Sequence, residues 1–170
     1  MQQVLVDMDG VLADVYTHLA AYEYRESGIR PAQEEMAGRL EEDAFPSFGK
    51  IIRSKGFFRT VPVMKDSVKG LNYLNNKYKV LIVSSATEFP ASLNEKQAWL
   101  NEYFPFISWK QMIFCGSKDS ICGDIMIDDH IKNLGFFKGR KLLFTQPQNV
   151  FVGDVSLERV NNWNEIMHKL

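Results

Sequence analysis

The sequence predicts an α/β protein: a parallel sheet flanked by helices, with a small helical insertion after the first strand. Three observations carry this prediction. Five short aliphatic runs recur along the chain, amphipathic stretches lie between several of them, and residues 14–64 hold helical patterns but no convincing strand. A chain of 170 residues can bury one core with a small accessory lobe rather than two independent domains.

The expected strands are 3–8 (QVLVDM), 79–85 (KVLIVSS), 111–115 (QMIFC), 124–129 (DIMIDD) and 140–145 (RKLLFT). Each is largely apolar without strict alternation, the pattern of strands covered on both faces. In 66–77, Asp66 stands in capping position and Val68, Leu71 and Leu74 share one side of a helix. In 90–104, Leu93, Trp99, Leu100 and Phe104 are available for burial, and Pro105 stops the helix. Leu157, Val160, Trp163, Ile166 and Met167 mark 156–170 as a closing surface helix.

Within the insertion, 14–28 reads as a helix capped by Asp14 and ended by Gly28. A second helix is expected from Pro31 over 31–43, and a third over 45–58. No repeat, low-complexity tract or Gly/Ser linker interrupts the chain, so the insertion is expected to pack on the core.

A net charge of −1 without a Lys/Arg run removes the electrostatic footprint of a polymeric nucleic-acid or acidic-membrane binder, while leaving room for a small anionic substrate. No long apolar stretch or signal-peptide pattern is visible, and an intracellular, cytoplasmic protein is expected. Cys115 and Cys122 fit neither a disulfide framework nor a zinc site, and are expected as buried small apolar residues.

The chemistry concentrates at the strand ends. In an open parallel sheet, ligands bind beyond the carboxyl ends of the strands, where strand order reverses. The first strand delivers Asp7 and Asp9 there, the second Ser84 and Ser85, and the fourth Asp128 and Asp129, with Lys118 in the turn after the third. Two unit charges 4 Å apart repel by roughly 4 kcal/mol at an effective dielectric near 20. Converging carboxylates therefore need a cation or a proton. An oxygen-only ligand set with room for water and phosphate favours Mg²⁺ over zinc or copper. Residues i and i+2 of a strand share a face, so Asp7 and Asp9 can address one ligand. One can attack or bind metal while the other manages a proton. Gly10 lets the chain turn sharply.

These residues resemble the haloacid dehalogenase (HAD) superfamily of aspartyl phosphatases. The likeness rests on DMDGVLAD from Asp7 to Asp14, a strand ending in Ser84, a lone Lys118 and the acidic pair Asp128 and Asp129, in the family's order. Within that superfamily the chain is most similar to the 5'(3')-deoxyribonucleotidases. That likeness extends to FFRTVPVMKDSVKGLNYL, EKQAWL and SKDSICGDIMIDD, where Lys118 lies ten residues before Asp128. His130 stands where such relatives often carry Arg, and Val15 where they carry an aromatic residue.

The resemblance implies a Rossmann-like HAD fold, with a catalytic core over 1–13 and 65–170 and a helical cap over 14–64. It implies an Asp7 nucleophile that becomes a transient aspartyl phosphate, and an Asp9 general acid and base. Mg²⁺ would be held by Asp7, the backbone carbonyl of Asp9, and one or both of Asp128 and Asp129. Ser84 would donate to a phosphoryl oxygen, with Ser85 beside it, and Lys118 would neutralise phosphate charge. In the cap, Phe57 and Phe58, with Lys96 or Arg53 nearby, could sandwich a base; Phe45 and Phe48 are further aromatics, and all four also suit helix packing.

The expected partner is a small phosphorylated metabolite, a deoxyribonucleoside monophosphate, with no polymeric nucleic acid and no membrane; a homodimer stays open. Two alternatives remain on the sequence. One is a phosphatase of the same chemistry acting on a sugar phosphate. The other is a phospho-receiver signalling domain, disfavoured because its accepting Asp follows a later strand and it lacks the long insertion.

Overall fold

The computed structural model describes residues 1–170. Its single sheet contains β1 (Gln3–Asp7), β2 (Lys79–Ser84), β3 (Met112–Phe114), β4 (Ile125–Asp128), β5 (Arg140–Phe144) and β6 (Glu158–Val160). All pairings are parallel and the spatial order is β3-β2-β1-β4-β5-β6. The chain runs outward from β1 to β3 and then returns to β4 on the other side of β1. The carboxyl ends of β1 and β4 therefore flank the switch point, where an open sheet leaves a crevice. Val4, Leu5, Val6, Ile125, Met126 and Ile127 are buried, as expected for the two innermost strands of a sheet covered on both faces.

Between β1 and β2 lie α1 (Val15–Ser27), three single turns α2 (Gln33–Met36), α3 (Glu41–Ala44) and α4 (Phe48–Ile51), and then α5 (Ser67–Lys77). Asp14 caps α1, its Oδ1 accepting from the Thr17 backbone N–H at 3.2 Å, and Gly28 ends it at φ +74°. The helix expected over 31–43 is broken: Gly38 turns at φ +74° and its N–H donates to the Pro147 carbonyl at 2.8 Å. Of the helix expected over 45–58, only α4 forms. Asp66 adopts φ +63° and its side chain makes no cap bond, while Val68 is exposed. Leu71 and Leu74, with Ser67 and Gly70, form the buried side of α5.

The remaining helices are α6 (Ser92–Tyr103), α7 (Ile131–Phe136) and α8 (Trp163–Lys169). The closing helix is shorter than its apolar spacing suggests because Glu158–Val160 pairs with β5, setting Val160 opposite Phe144. Leu157 and Val160 satisfy a helical spacing and a strand equally well, and the open sheet edge decides. Cys115 is half-buried and Cys122 exposed, so neither is the buried apolar residue expected. No helix is long and apolar enough to cross a membrane.

A continuous cluster of 31 buried apolar residues joins Val4 and Val6 of the sheet to Phe45, Ile51 and Phe57 of the helical segment. Fully burying each such side chain contributes about 1.5–3 kcal/mol. Two indoles bond across this cluster: Trp99 Nε1 donates to the Val61 carbonyl and Trp163 Nε1 to the Val11 carbonyl, each at 2.8 Å. The second of these holds the turn that follows β1.

Candidate active site

Asp7 is the last residue of β1, and the chain then turns through Gly10 at φ +76°, whose N–H donates to the Ala13 carbonyl at 2.9 Å. A Cβ at Gly10 would overlap the Asp129 carboxylate. Glycine is thus required twice, for the left-handed backbone and for the closeness of the β4 end. Asp9 lies beyond the strand, in an isolated bridge to Ala13. It reaches the same pocket as Asp7 through this turn, not through strand alternation alone.

Lys118 is the hub of the acidic cluster. Its Nζ lies 2.6 Å from Asp7 Oδ1 and 2.7 Å from Asp128 Oδ2, and its side chain is only 2% exposed. Asp7 Oδ1 also accepts the Met8 backbone N–H at 2.7 Å, whereas Asp7 Oδ2 accepts no hydrogen bond. Both oxygens of Asp128 are engaged: Oδ1 by the His130 N–H at 2.8 Å and by Asn133 at 3.0 Å, Oδ2 by Lys118 and by Asn133 at 3.1 Å. Asp129 differs. Its Oδ2 accepts from Gln148 Nε2 at 2.8 Å, but its buried Oδ1 has no partner.

Ligand oxygens of Asp7, Asp128 and Asp129 lie within 4.8 Å of one another, and all three residues are buried. The orphaned Asp129 oxygen and the unbonded Asp7 oxygen give this cluster two carboxylate ligands to spare. The residues fit a divalent cation, and an all-oxygen set suits a hard one.

The electrostatics agree with that reading of the cluster. Burial, with help from Asp128 and Asp9, pushes Asp7 up to about 6, although Lys118 opposes the rise. Burial likewise raises Asp129 well above the usual carboxylate range, with Asp7, Asp128 and Glu41 adding to it and His130 opposing. Burial works against charge on Lys118 and His130, yet their acidic neighbours prevail. Asp128 and Asp7 raise Lys118, while Asp129 and Glu41 lift His130 to about 10. Glu41 is held below its ordinary value: burial opposes, but the hydrogen bond to His130, the imidazolium charge and further hydrogen bonds together outweigh it.

Above these groups lies a cavity of about 190 Å³. Asp7, Asp9, Lys96 and Lys118 face it from the core; Leu40, Glu41, Glu42, Phe48, Ile52 and Phe58 face it from the helical segment, with Phe89 and His130 between. A larger groove of about 780 Å³ between α1, α2 and the loop after β5 contains one cation, Arg30, and none of the clustered strand-end acids. Chemistry, not size, singles out the smaller cavity.

The structure brings Asp7, Asp9, Ser84, Ser85, Lys96, Lys118, Asp128 and Asp129 to this one end of the sheet. Lys96, projecting from α6 and 2% exposed, ion-pairs with Asp9, donates to Ser84 Oγ at 3.0 Å and sits 4.5 Å from the centre of the Phe58 ring. Ser84 is fully buried beneath Lys96, and Ser85 lines the cavity. Phe57 does not reach it. That ring is wholly buried among Phe58, Tyr22 and His18, so of the aromatic pair only Phe58 faces the cavity. Phe45 is buried too, and Arg53 lies over Phe89 outside the cavity lining.

Sequence reasoning missed Glu41, Asn133, Gln148 and Asn149. The last holds the Asp129 carbonyl from its Nδ2 at 2.9 Å. The one local signal in this stretch is Pro147, which opens the turn beyond β5 that carries Gln148 and Asn149.

The architecture is that of the haloacid dehalogenase-type hydrolases. A HAD-superfamily hydrolase of subfamily IA from Geobacter sulfurreducens superposes with a TM-score of 0.58 over 100% of both chains at 13% identity. The D,D-heptose 1,7-bisphosphate phosphatase of Burkholderia thailandensis does so with a TM-score of 0.56 at 11% identity, over 99% of this chain and 97% of its own.

Sequence narrows the class. Residues 1–170 match the family described as "5' nucleotidase, deoxy (Pyrimidine), cytosolic type C protein", and the chain belongs to it. The 5'(3')-deoxyribonucleotidases of Bacillus subtilis and of Bacillus phage SPbeta are each 36% identical over 169 residues, covering 98% of this chain and 97% of theirs. The protein is a phosphoric monoester hydrolase.

Proposed function

We propose that the chain is a Mg²⁺-dependent 5'(3')-deoxyribonucleotidase that works through a phosphorylated Asp7 beneath a cap formed by residues 14–64. The supporting observation is the asymmetry of Asp7: Oδ1 is tied down by Lys118 and the Met8 N–H, while Oδ2 is left unbonded in a residue that lines the cavity. Such an oxygen is held in one direction before substrate arrives, which is the entropic part of catalysis.

Asp7 Oδ2 attacks phosphorus, forming the acyl phosphate as the P–O bond to the nucleoside breaks. Asp9 gives its proton to the departing alkoxide. It then takes a proton from the water that attacks the acyl phosphate, so that phosphate leaves and the Asp7 carboxylate is regenerated. Ser84 donates to a phosphoryl oxygen and Lys118 balances its charge.

Without substrate, Lys96 occupies Asp9 and Ser84. An arriving phosphate offers it a better anion and frees Asp9 to carry a proton. Asp7, Asp129 and the Asp9 carbonyl would hold the ion, with Asp128 reserved for orienting Lys118 and Asn133. Bound there, Mg²⁺ would offset the crowded carboxylates and draw charge from the phosphoryl group. The apolar wall of Phe48, Ile52, Phe58 and Phe89 suits a nucleobase, and the family's description as cytosolic supports a cytoplasmic enzyme.

The test is phosphate release from a panel of deoxyribonucleoside monophosphates and sugar phosphates with Mg²⁺, using wild type and Asp7→Asn. Nucleotide turnover lost in the variant is expected. Turnover persisting in Asp7→Asn removes the nucleophile, and a preference for sugar phosphates removes the substrate class.

A further inference from the structure

The cap is fastened to the core very unevenly. Its C-terminal part is bound to α6 by Glu95, which accepts the Gly56 N–H at 2.6 Å and the Arg59 N–H at 3.3 Å, by the Trp99 bond to Val61 and by an Arg59–Glu102 ion pair. The stretch 33–44, which supplies the opposite wall of the cavity through Leu40, Glu41 and Glu42, makes only two hydrogen bonds to the core. One is the Gly38 N–H to the Pro147 carbonyl at 2.8 Å. The other is Glu41 Oε1 to His130 Nε2 at 3.2 Å, the single ion pair between this stretch and the core.

We propose that Glu41 and His130 form a positioning pair that sets the cap wall against the nucleoside part of the substrate and so fixes selectivity for nucleotides over small phosphate esters. The inference rests on the nucleotidase assignment above. Neither side chain is given a chemical step.

Three features support it beyond the contact itself. His130 is locked at its base, because its backbone N–H donates to Asp128 Oδ1 at 2.8 Å, so its imidazole extends from the rigid end of β4. Glu41 is the first residue of a single-turn helix that follows the Gly38 break, so α3 has little length of its own to hold its place. Finally, Glu41 has company that would expel it without His130: Asp129 Oδ2 lies 4.0 Å from the same imidazole nitrogen. Remove the imidazole and two carboxylates face each other across the gap, which drives the Leu40–Glu42 wall outward.

A phosphate held by Lys96, Lys118 and Ser84 would not sense that displacement, because those groups belong to the core. A base lying between the displaced wall and Phe58 would. The pair therefore acts on the binding of large substrates and leaves the reaction of small ones alone.

The experiment compares a deoxyribonucleoside monophosphate with p-nitrophenyl phosphate in wild type, Glu41→Ala, Glu41→Gln, His130→Arg and the Glu41→Ala/His130→Ala double variant. For Glu41→Ala the nucleotide KM is expected to rise about tenfold, the loss of one charge-assisted hydrogen bond, with kcat within about twofold. Kinetics on p-nitrophenyl phosphate at saturating Mg²⁺ should stay at wild-type values. Glu41→Gln, which keeps a hydrogen-bonding group without the charge, should fall between, and His130→Arg should retain the wild-type nucleotide KM. The double variant should be no worse than Glu41→Ala alone.

Equal changes for both substrates, or an unchanged nucleotide KM in a folded Glu41→Ala protein, overturn the proposal. If wild type itself shows no preference for the nucleotide, it is the substrate assignment that fails, and the two failures are distinguished by that control.

Discussion

Replacing Lys118 by methionine should make the stability of this protein depend sharply on pH and on Mg²⁺. The lysine is buried and touches Asp7 and Asp128 at 2.6 and 2.7 Å, so methionine preserves much of its length while leaving two buried carboxylates facing each other. Breaking a buried ion pair from one side costs about 3–5 kcal/mol. For a chain of this size each kcal/mol moves Tm by about 2–4 °C, giving a fall of roughly 6–20 °C at pH 7 in chelator.

The pH arm has a defined sign. Asp7 has a folded pKa of about 6, raised from 3.8 by burial, so the folded state binds its proton more tightly than the unfolded chain does, and its ionisation destabilises the fold as pH rises through that value. At pH 5 the folded protein already holds this proton, and the variant should recover a substantial part of the loss. Added Mg²⁺ should recover stability at pH 7 by supplying the missing positive charge. Urea unfolding of wild type and variant at pH 5 and 7, each with chelator or Mg²⁺, measures all of this. A loss below about 1 kcal/mol at pH 7 in chelator, or one that neither acid nor Mg²⁺ reduces, would refute the electrostatic account of the cluster.

The two terminal acids should behave differently. Asp129→Asn removes an oxygen with no protein partner and should weaken Mg²⁺ binding by more than about 100-fold, while Asp128→Asn disturbs only a residue that orients others and should cost about 10–100-fold. Calorimetric titration of Mg²⁺ into each variant checks the order. A separate pH effect is expected in α1, where burial lowers the pKa of His18 and its Nε2 meets the Phe57 carbonyl at 3.1 Å. Its neutral form is the folded one, so its stabilising contribution is present above pH 6.5 and lost as pH falls, by at most about 1.4 kcal/mol per pH unit, the limit for one proton. The fall in urea midpoint between pH 7 and 5 should be shallower in His18→Gln.

Which parts of this molecule could be read from sequence follows from how locally each is specified. Val4 to Val6 and Ile125 to Ile127 declare themselves as strands because burial on both faces demands unbroken apolar runs, and the parallel α/β class follows from them. Asp7, Gly10 and the Asp128–Asp129 pair are legible because a left-handed turn and crowded acids are unusual at strand ends. β6 was hidden, since three residues on a sheet edge carry too little pattern to compete with the helical spacing around them. Phe57 and Phe58 could not be separated either: adjacent rings on an irregular stretch point to opposite sides, and only the packing of Tyr22 and His18 selects Phe57 for burial. Gln148, Asn149 and Glu41 are ordinary polar residues in sequence. They gain meaning from contacts with Asp129 and His130 that span 19, 20 and 89 residues, distances at which no local pattern exists.

The position of the acids in the sheet has a consequence of its own. Asp7 and Asp128 end the two innermost strands, paired to each other through Val4–Ile125, Leu5–Met126 and Val6–Ile127 and to β2 and β5 on their outer sides. Carboxylates on a loop relieve their repulsion by moving apart, because loop backbone is the softest part of a protein. Here the backbone is fixed by two ladders and a close-packed core, and the turn that follows β1 is pinned further by the Trp163 bond to Val11. The repulsion can be answered only by positive charge or by protons. Lys118, Lys96 and His130 supply part of it, yet Asp129 Oδ1 and Asp9 Oδ1 remain buried without partners. A rigid sheet holding an incompletely neutralised cluster is thereby biased toward binding a cation and a phosphate together, since each removes a charge imbalance that the other alone would leave.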